Sequence, residues 1–180
     1  WRYDVAGYWI DVNKDIVSQG GGAYFYTAGQ TRRRGLEAAL QWQAAARLAL
    51  RGTGTYSQNR YRVYRNDAGD FAGNDIPGLP AAVFSGGAAL TLPAGLRLDT
   101  SVEGASRYFA DDANQWETFS YGLWNASLTW AHDGASGRLS AFVAGQNLLD
   151  NQHPEFFQNV ITSPRTEVER SVYGKATWRY

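Results

Sequence analysis

The last eleven residues of the chain, 170–180, alternate between two kinds of side chain. One parity carries small, apolar and aromatic residues from Val172 to Trp178 and Tyr180, and the other carries polar residues such as Lys175 and Arg179. This period of two is that of a β-strand with one apolar and one polar face. We expect a strand that ends on an aromatic residue to be paired along its length, because lipid offers no partner to an open sheet edge. The pattern predicts an outer-membrane β-barrel.

Seven more segments show the same alternation and predict an all-β, antiparallel arrangement of eight strands. With the terminal strand, the segments are 1–12, 31–43, 46–64, 82–92, 95–108, 121–130, 137–146 and 170–180. Nearly all their charged residues share the polar parity, which fits a cost of about 2–4 kcal/mol for a charge facing lipid at mid-bilayer. The residues expected to face a lumen are Arg51, Arg97, Asp99 and Glu103. The residues expected to face lipid are Leu40, Leu96, Leu98 and Leu128.

The connections between these segments alternate in length. Short connections are expected near 44–45, 93–94 and 132–136, and long ones at 13–30, 65–81, 109–120 and 147–169. Short turns on one side and long loops on the other are typical of outer-membrane barrels. Trp42 and Trp130 lie beside short turns and, with Trp178 and Tyr180, predict an aromatic girdle at that end.

Composition leaves few other classes open. Lys+Arg and Asp+Glu both number 17, so no charge excess favours nucleic acid, and the absence of cysteine excludes disulfides and thiolate metal sites. No apolar run reaches the roughly 18 residues of a spanning helix, so any spanning segments are expected to be strands. Because the chain begins at Trp1, we expect a mature product or a fragment. A soluble β-sandwich, which also alternates, stays open as an alternative.

The sequence shows no catalytic constellation, and we expect neither an enzyme nor a cofactor. His132 and His153 fall in a short and a long connection, hence on opposite sides of a membrane, so we expect no shared metal site. Asp111, Asp112 and Asn114 could indicate calcium, although their spacing does not match an EF-hand loop. The basic triplet 32–34 is open to three interpretations, namely a solvated strand end, contact with anionic lipid headgroups or contact with an anionic ligand.

Four short motifs carry a resemblance to a known family. They are Tyr-Thr-Ala-Gly-Gln-Thr-Arg-Arg-Arg-Gly-Leu-Glu at 26–37, Gly-Asn-Asp-Ile-Pro-Gly-Leu-Pro at 73–80, Tyr-Phe-Ala-Asp-Asp-Ala-Asn at 108–114 and Asn-Leu-Leu-Asp at 147–150. In order, and with the aromatic terminus, they resemble the C-terminal barrel of TonB-dependent outer-membrane receptors of the siderophore type. Thr27 stands where that family has Asn. The resemblance covers essentially the whole chain.

The resemblance implies a fold and a function. The chain would supply about eight strands of a larger 22-stranded barrel, with residues 1–180 as its C-terminal part and the plug domain and N-terminal strands absent. It would belong to a receptor in the Gram-negative outer membrane that imports a ferric siderophore or similar chelate. The implied partners are a TonB-type energy transducer acting through the absent N-terminal region, outer-membrane lipid and a barrel-assembly machinery that reads Trp178 and Tyr180. A self-contained eight-stranded barrel with a structural or adhesion role is the second possibility.

Ligand contacts would come from the long loops and the upper lumen. The candidate ligand-binding residues are Tyr24, Phe25, Tyr26, Arg60, Arg62, Phe156 and Phe157. Flat aromatic rings and guanidinium groups suit large anionic chelates, through stacking and charge. The alternative is that these residues only pack within loops or form an aromatic girdle.

Overall fold

The chain forms one long antiparallel sheet with a small two-stranded sheet beside it. The computed structural model describes residues 1–19, 24–135, 137–152 and 169–179, with side chains from 1–16, 29–135, 137–152 and 169–179. The strands are β1 (Arg2–Gln19), β2 (Tyr24–Ala45), β3 (Leu48–Val63), β4 (Arg65–Asn66), β5 (Gly69–Asp70), β6 (Ala82–Thr91), β7 (Leu96–Ala105), β8 (Tyr121–Gly134), β9 (Gly137–Gln146) and β10 (Ser171–Arg179).

Eight of these strands follow one another as a meander. The large sheet has the order β1-β2-β3-β6-β7-β8-β9-β10, and each strand is antiparallel to its neighbours. The predicted all-β architecture of eight antiparallel strands is confirmed. Within the described residues, β1 pairs only with β2 and β10 only with β9, so the sheet is open.

The cross-strand register sorts side chains onto two faces. Leu98 lies opposite Leu128, which lies opposite Val143, and their parity defines the apolar face of the sheet. Arg51 and Glu103 have the opposite parity and define the polar face. The apolar side chains are solvent-exposed in the isolated sheet, with Leu40 at 44% and Leu128 at 38%. A continuous exposed apolar wall marks a surface that another apolar phase covers, so the predicted segregation of the two faces is confirmed.

The first hairpin differs from the sequence-based prediction. The chain does not leave the sheet at residues 13–30, since β1 continues to Gln19 and β2 begins at Tyr24. The backbone ladder needs no apolar pattern to continue, and a part of a strand that contacts water on both faces carries no such pattern. Alternation therefore ends before the strand does. Lys14, with φ of 59°, also interrupts the regular alternation there.

The short connections keep one end of the sheet compact. Between β6 and β7 the chain makes a single 3-10 turn at Pro93–Gly95. Gly95 has φ of 77°, and a Cβ atom there would meet the carbonyl oxygen of Ala131, so the turn requires glycine. The Trp130 indole donates to the Ala94 carbonyl at 3.0 Å. Within the described part of the chain, no helix is long and apolar enough to cross a membrane.

The aromatic girdle predicted at this end is present in its described members. Trp42, Trp130 and Trp178 have the parity of the apolar face and lie near the short turns. Trp1 lies at the same end and stacks on Tyr3 with ring centroids 5.2 Å apart. Tyr180, the fourth predicted member, lies outside the described residues.

Two adjacent alanines provide a matched test of the faces. Ala38 has the apolar parity, opposite Val5 and Gly54, and Ala39 has the polar parity, opposite Asp4 and Thr53. After reconstitution of the protein into lipid vesicles, we expect Ala38→Arg to lower the free energy of unfolding by about 2–4 kcal/mol, the cost of a charge at mid-bilayer. Ala39→Arg should cost far less. Urea titration of both variants measures the difference, and equal losses would contradict the assignment of faces.

Candidate functional site

The long connections lie at the end of the sheet opposite the short turns, and two of them pack together. We call residues 64–81 and 106–120, with Tyr61, the loop unit. Its apolar core is Tyr61, Tyr64 and Phe71, which are 2%, 1% and 8% exposed, with Ile76 packed against them. The ring centroids of Tyr61 and Tyr64 are 4.5 Å apart. The loop unit contains the largest fully buried side chains among the described residues, so this end of the sheet has a packed core of its own.

A small hairpin supports this core, and the sequence analysis missed it. Strands β4 and β5 pair around a turn in which Asn66 accepts a hydrogen bond from the Ala68 amide at 2.8 Å. Arg65 and Asp70 flank the turn and form an ion pair at 2.7 Å. The signal was present as Asn-Asp-Ala-Gly at 66–69, which is typical of a tight turn, but a two-residue strand is too short to show alternation.

The Asp112 side chain joins the two connections of the loop unit. Its carboxylate accepts hydrogen bonds from the hydroxyls of Tyr61 at 2.7 Å and Tyr64 at 3.2 Å. Its backbone carbonyl accepts a third from the Asn74 amide group at 2.8 Å. Burial raises the pKa of Asp112 above its ordinary value; the Tyr61 hydrogen bond opposes this shift and the charge of Asp111 adds to it.

Neighbouring polar residues complete the junction. Asn114 accepts from the Asp75 amide at 2.7 Å and donates to the Asp75 carbonyl at 2.9 Å. The Asp111 carboxylate accepts from the amides of Gln115 and Trp116. Asp111, Asp112 and Asn114, which in sequence could suggest calcium, are thus engaged in loop structure. Among the described residues, no group of three or more His, Asp or Glu side chains is arranged to hold a metal ion.

The polar face below the loop unit carries charges along its length. Arg97 and Asp99 form an ion pair at 2.7 Å, and Thr53 and Ser85 share a hydrogen bond at 2.7 Å across β3 and β6. Arg2 and Arg51 line a cleft of about 490 Å³ at the short-turn end, with Gln41 among its other polar residues. This wall offers hydrogen-bonding groups to whatever fills the interior.

The structure places the predicted ligand residues in different locations. Tyr24, Phe25 and Tyr26 begin β2, and their side chains lie outside the described residues, as do Phe156 and Phe157 entirely. Arg60 and Arg62 lie at the loop end of β3, where Arg60 pairs with Asp75 at 2.9 Å. Both arginines have the parity of the apolar face rather than the polar one. A ligand-binding role for the seven residues stays a prediction.

Of the two histidines considered as metal ligands, only His132 lies among the described residues. His132 lies near the short-turn end of β8, with its ring stacked on Trp130 at a centroid distance of 6.0 Å. His153 lies outside the described residues.

The Asp112 junction generates a test by substitution. We expect Asp112→Ala to destabilise the loop unit by about 1–3 kcal/mol, because two buried tyrosine hydroxyls each lose a hydrogen bond to the carboxylate. Hydrogen-exchange protection factors of the amides in 64–81 and 106–120 report the loss. Asp67→Ala, at an exposed position of the β4–β5 turn, is the control and should leave protection unchanged.

The same junction should respond to pH. Because its folded-state pKa is raised, Asp112 contributes stability that is present at low pH and is lost as pH rises through the raised pKa. Protection of the loop unit should therefore decrease from acidic to neutral pH in the wild type, and Asp112→Asn should flatten that dependence. Protection that increases with pH would contradict the assignment.

Comparison with known proteins agrees with the β-barrel architecture described above. The family profile described as TonB dependent receptor-like, beta-barrel, matches residues 1–148. No curated protein sequence matches. Among solved structures, the chain is similar to the ferric yersiniabactin uptake receptor FyuA from Yersinia pestis, at 18% identity and a TM-score of 0.73, covering 96% of this chain and 26% of that one.

Two further structures show the same fold. The ferric preacinetobactin receptor BauA from Acinetobacter baumannii has 15% identity and a TM-score of 0.75, covering 97% of this chain and 26% of BauA. The ferric citrate transporter FecA has 16% identity and a TM-score of 0.77, covering 97% and 28%. The chain thus spans about a quarter of the length of the structures that it matches. With the profile match over 148 residues, the chain belongs to the TonB-dependent receptor β-barrel family, and its eight strands are a segment of such a barrel.

Proposed function

We propose that this chain is the C-terminal part of the barrel of an outer-membrane receptor that imports a scarce nutrient, most specifically a ferric siderophore or similar chelate. The match of the family profile over residues 1–148 carries the proposal. The structures named above are receptors or transporters for ferric chelates, which supports the ligand class. A polar face lined with charge and an apolar face open to lipid are what a wall between lumen and membrane requires.

In the proposed receptor, the loops bind the chelate, the barrel surrounds the plug domain, and the plug moves when the transducer supplies energy. The plug domain and the segment that engages a TonB-type transducer would come from parts of the receptor beyond this chain. Import of an intact chelate changes no covalent bond, so we propose a transport receptor and not an enzyme. We place the receptor in the Gram-negative outer membrane.

The ligand contacts belong in the long connections. We propose Tyr24, Phe25, Tyr26, Phe156 and Phe157 as a stacking surface for the flat parts of a chelate. The loop unit supports this arrangement, because its packed core fixes two neighbouring connections and so limits the positions that the others can take.

The two alternative functions agree less well with the geometry. A self-contained eight-stranded barrel needs β1 to pair with β10, and within the described residues each of these strands has one partner. A soluble β-sandwich needs a second sheet over the apolar face, and the described residues form one large sheet with a two-stranded sheet at its loop end.

Uptake of labelled iron tests the proposal. In a strain that lacks its other receptors, the full-length receptor should import one or more of a panel of ⁵⁵Fe-labelled chelates, and an uncoupler should abolish import. Phe156→Ala/Phe157→Ala should raise the KM for uptake by roughly tenfold, given about 0.5–1.5 kcal/mol for each aromatic contact. Val160→Ala/Ile161→Ala, in the same connection, is the control. Residues 1–180 expressed alone should import nothing, and import that survives the uncoupler would refute the proposal.

The terminal strand generates a separate test. We propose that Trp178 and Tyr180 form the signal read by the barrel-assembly machinery. Deleting Tyr180 from the full-length receptor should reduce the amount of heat-modifiable barrel in the outer membrane, because the last strand is then recognised poorly. Thr177→Ala replaces a residue of polar parity in the same strand and should leave insertion unchanged. Unchanged levels of heat-modifiable barrel after deletion of Tyr180 would contradict this role.

A further inference from the structure

Within the described strands, charged residues appear on the apolar face only at its loop end. In β1, β2 and β3, its rows carry apolar residues or glycine from the short turns up to the row of Leu36 and Tyr56. The next row places Trp9 opposite Arg34, and the row beyond places Asp11 opposite Arg32 and Arg32 opposite Arg60. Arg62 follows Arg60 in the same parity of β3. We call Arg32, Arg34, Arg60 and Arg62 the arginine patch.

The height of the arginine patch matches the edge of a membrane. Asp11 lies ten residues from Trp1, which is about 33 Å along a strand at roughly 3.3 Å per residue. A strand tilt of about 40° converts this length to about 25 Å of height, the height of the apolar band of outer-membrane barrels. The patch therefore lies at the level of the lipid headgroups on the side of the long loops.

The arginine patch has more positive than negative charge. Arg32 pairs with Asp11 at 2.8 Å and Arg60 pairs with Asp75 at 2.9 Å. Among the described residues, Arg34 donates only to the neutral amide oxygen of Gln58, at 2.6 and 3.0 Å. Arg62 forms no ion pair with any described residue. Four guanidinium groups face two carboxylates, which leaves a net charge of +2.

The excess of positive charge in the patch favours the binding of a further anion. Arg32 and Arg60 are direct cross-strand neighbours on one face, and like charges in that position destabilise a sheet. The four arginines line one open cleft of about 310 Å³, together with Gln58, Tyr61 and Gly73. Guanidinium forks bind phosphate oxygens in a bidentate manner. A phosphate in this cleft would offset the repulsion and use the donors that lack an acidic partner.

The surroundings of the cleft specify the source of that phosphate. The guanidinium carbons of Arg32 and Arg34 lie 4.7 and 5.4 Å from the centroid of the Trp9 ring, which is 59% exposed. Below Trp9, the side chains of Val5 and Leu36 are exposed, and the Leu36 side chain lies over Gly7, so an exposed apolar surface continues below the cleft. A charged cleft above an exposed apolar surface is complementary to a phosphate headgroup above an acyl chain.

We propose that the arginine patch is a binding site for a phosphorylated lipid of the outer leaflet. The lipid phosphate contacts the four guanidinium groups, the Trp9 ring lies at the headgroup boundary, and acyl chains run along Leu36 and Val5. The site is on the outside of the barrel wall, so a soluble ligand in the lumen does not reach it.

Lipid retention by the purified full-length receptor tests this proposal. Native mass spectrometry in mild detergent would count bound lipid A with two phosphates, and dephosphorylated lipid A would serve as the second probe. Arg34→Gln/Arg62→Gln should weaken binding of the phosphorylated lipid by about tenfold or more, because two charge-assisted contacts are lost. Arg65→Gln/Arg107→Gln removes the same charge from exposed loop positions and should bind as the wild type does. Heat-modifiability confirms that both variants fold.

Further measurements distinguish a lipid site from a general anion site and from a site for the transported ligand. Millimolar inorganic phosphate should not displace the lipid, because contact of the acyl chains with the apolar surface contributes to the affinity. Complete displacement would show a general anion site and overturn the lipid assignment. Equal retention of phosphorylated and dephosphorylated lipid would also overturn it. A weaker affinity of the Arg34→Gln/Arg62→Gln variant for a ferric chelate, with lipid retention unchanged, would assign these arginines to the transported ligand instead. None of these readouts depends on uptake, so the outcome is independent of the proposed transport function.

Discussion

Backbone hydrogen bonding in lipid is the constraint on which this structure depends. A strand that crosses the hydrocarbon can satisfy its amides and carbonyls only through its lateral neighbours. Once eight strands are joined in that way, each residue has a fixed face, and the faces of neighbouring strands are locked to one another. The row that contains Leu90, Leu98, Leu128 and Val143 crosses four strands without a polar residue. The same hydrogen-bond register between strands thus produces both the apolar face toward lipid and the polar face opposite it.

The same constraint explains which parts of the fold were predictable from the sequence. Strand β9 was predicted from its first residue to its last, because it lies entirely where one face is apolar and the other polar. Strands β1 and β2 were predicted only in their membrane portions. Above the membrane the backbone hydrogen bonds between the strands continue, but water contacts both faces of the sheet. Hydrophobic alternation in the sequence therefore no longer indicates the strand. A prediction from period alone therefore locates the membrane segment and not the end of the strand.

The loop unit could not be predicted, since its contacts are distant in sequence and depend on the ladder beneath it. Tyr61 and Asp112 are 51 residues apart, and Asn74 and Asp112 are 38 apart. They meet because β3, β6 and β7 are neighbours in the sheet, which brings the two connections to one end. The resemblance to the family drew attention to the motifs at 73–80 and 108–114, but sequence motifs do not say that one binds the other. The structure shows that Asn74 and Asn114 hold the two motifs together across the loop unit.

The basic triplet 32–34 shows how far charge clusters in sequence differ from charge clusters in space. Consecutive residues of a strand point to opposite faces. Arg33 therefore points to the other face, where it pairs with Asp15 at 3.0 Å, whereas Arg32 and Arg34 lie over Trp9. What groups Arg32 with Arg60 is the cross-strand register, not the sequence. In a β-barrel a charged surface is assembled from alternate residues of adjacent strands, so a run of like charges in sequence is divided between the two walls.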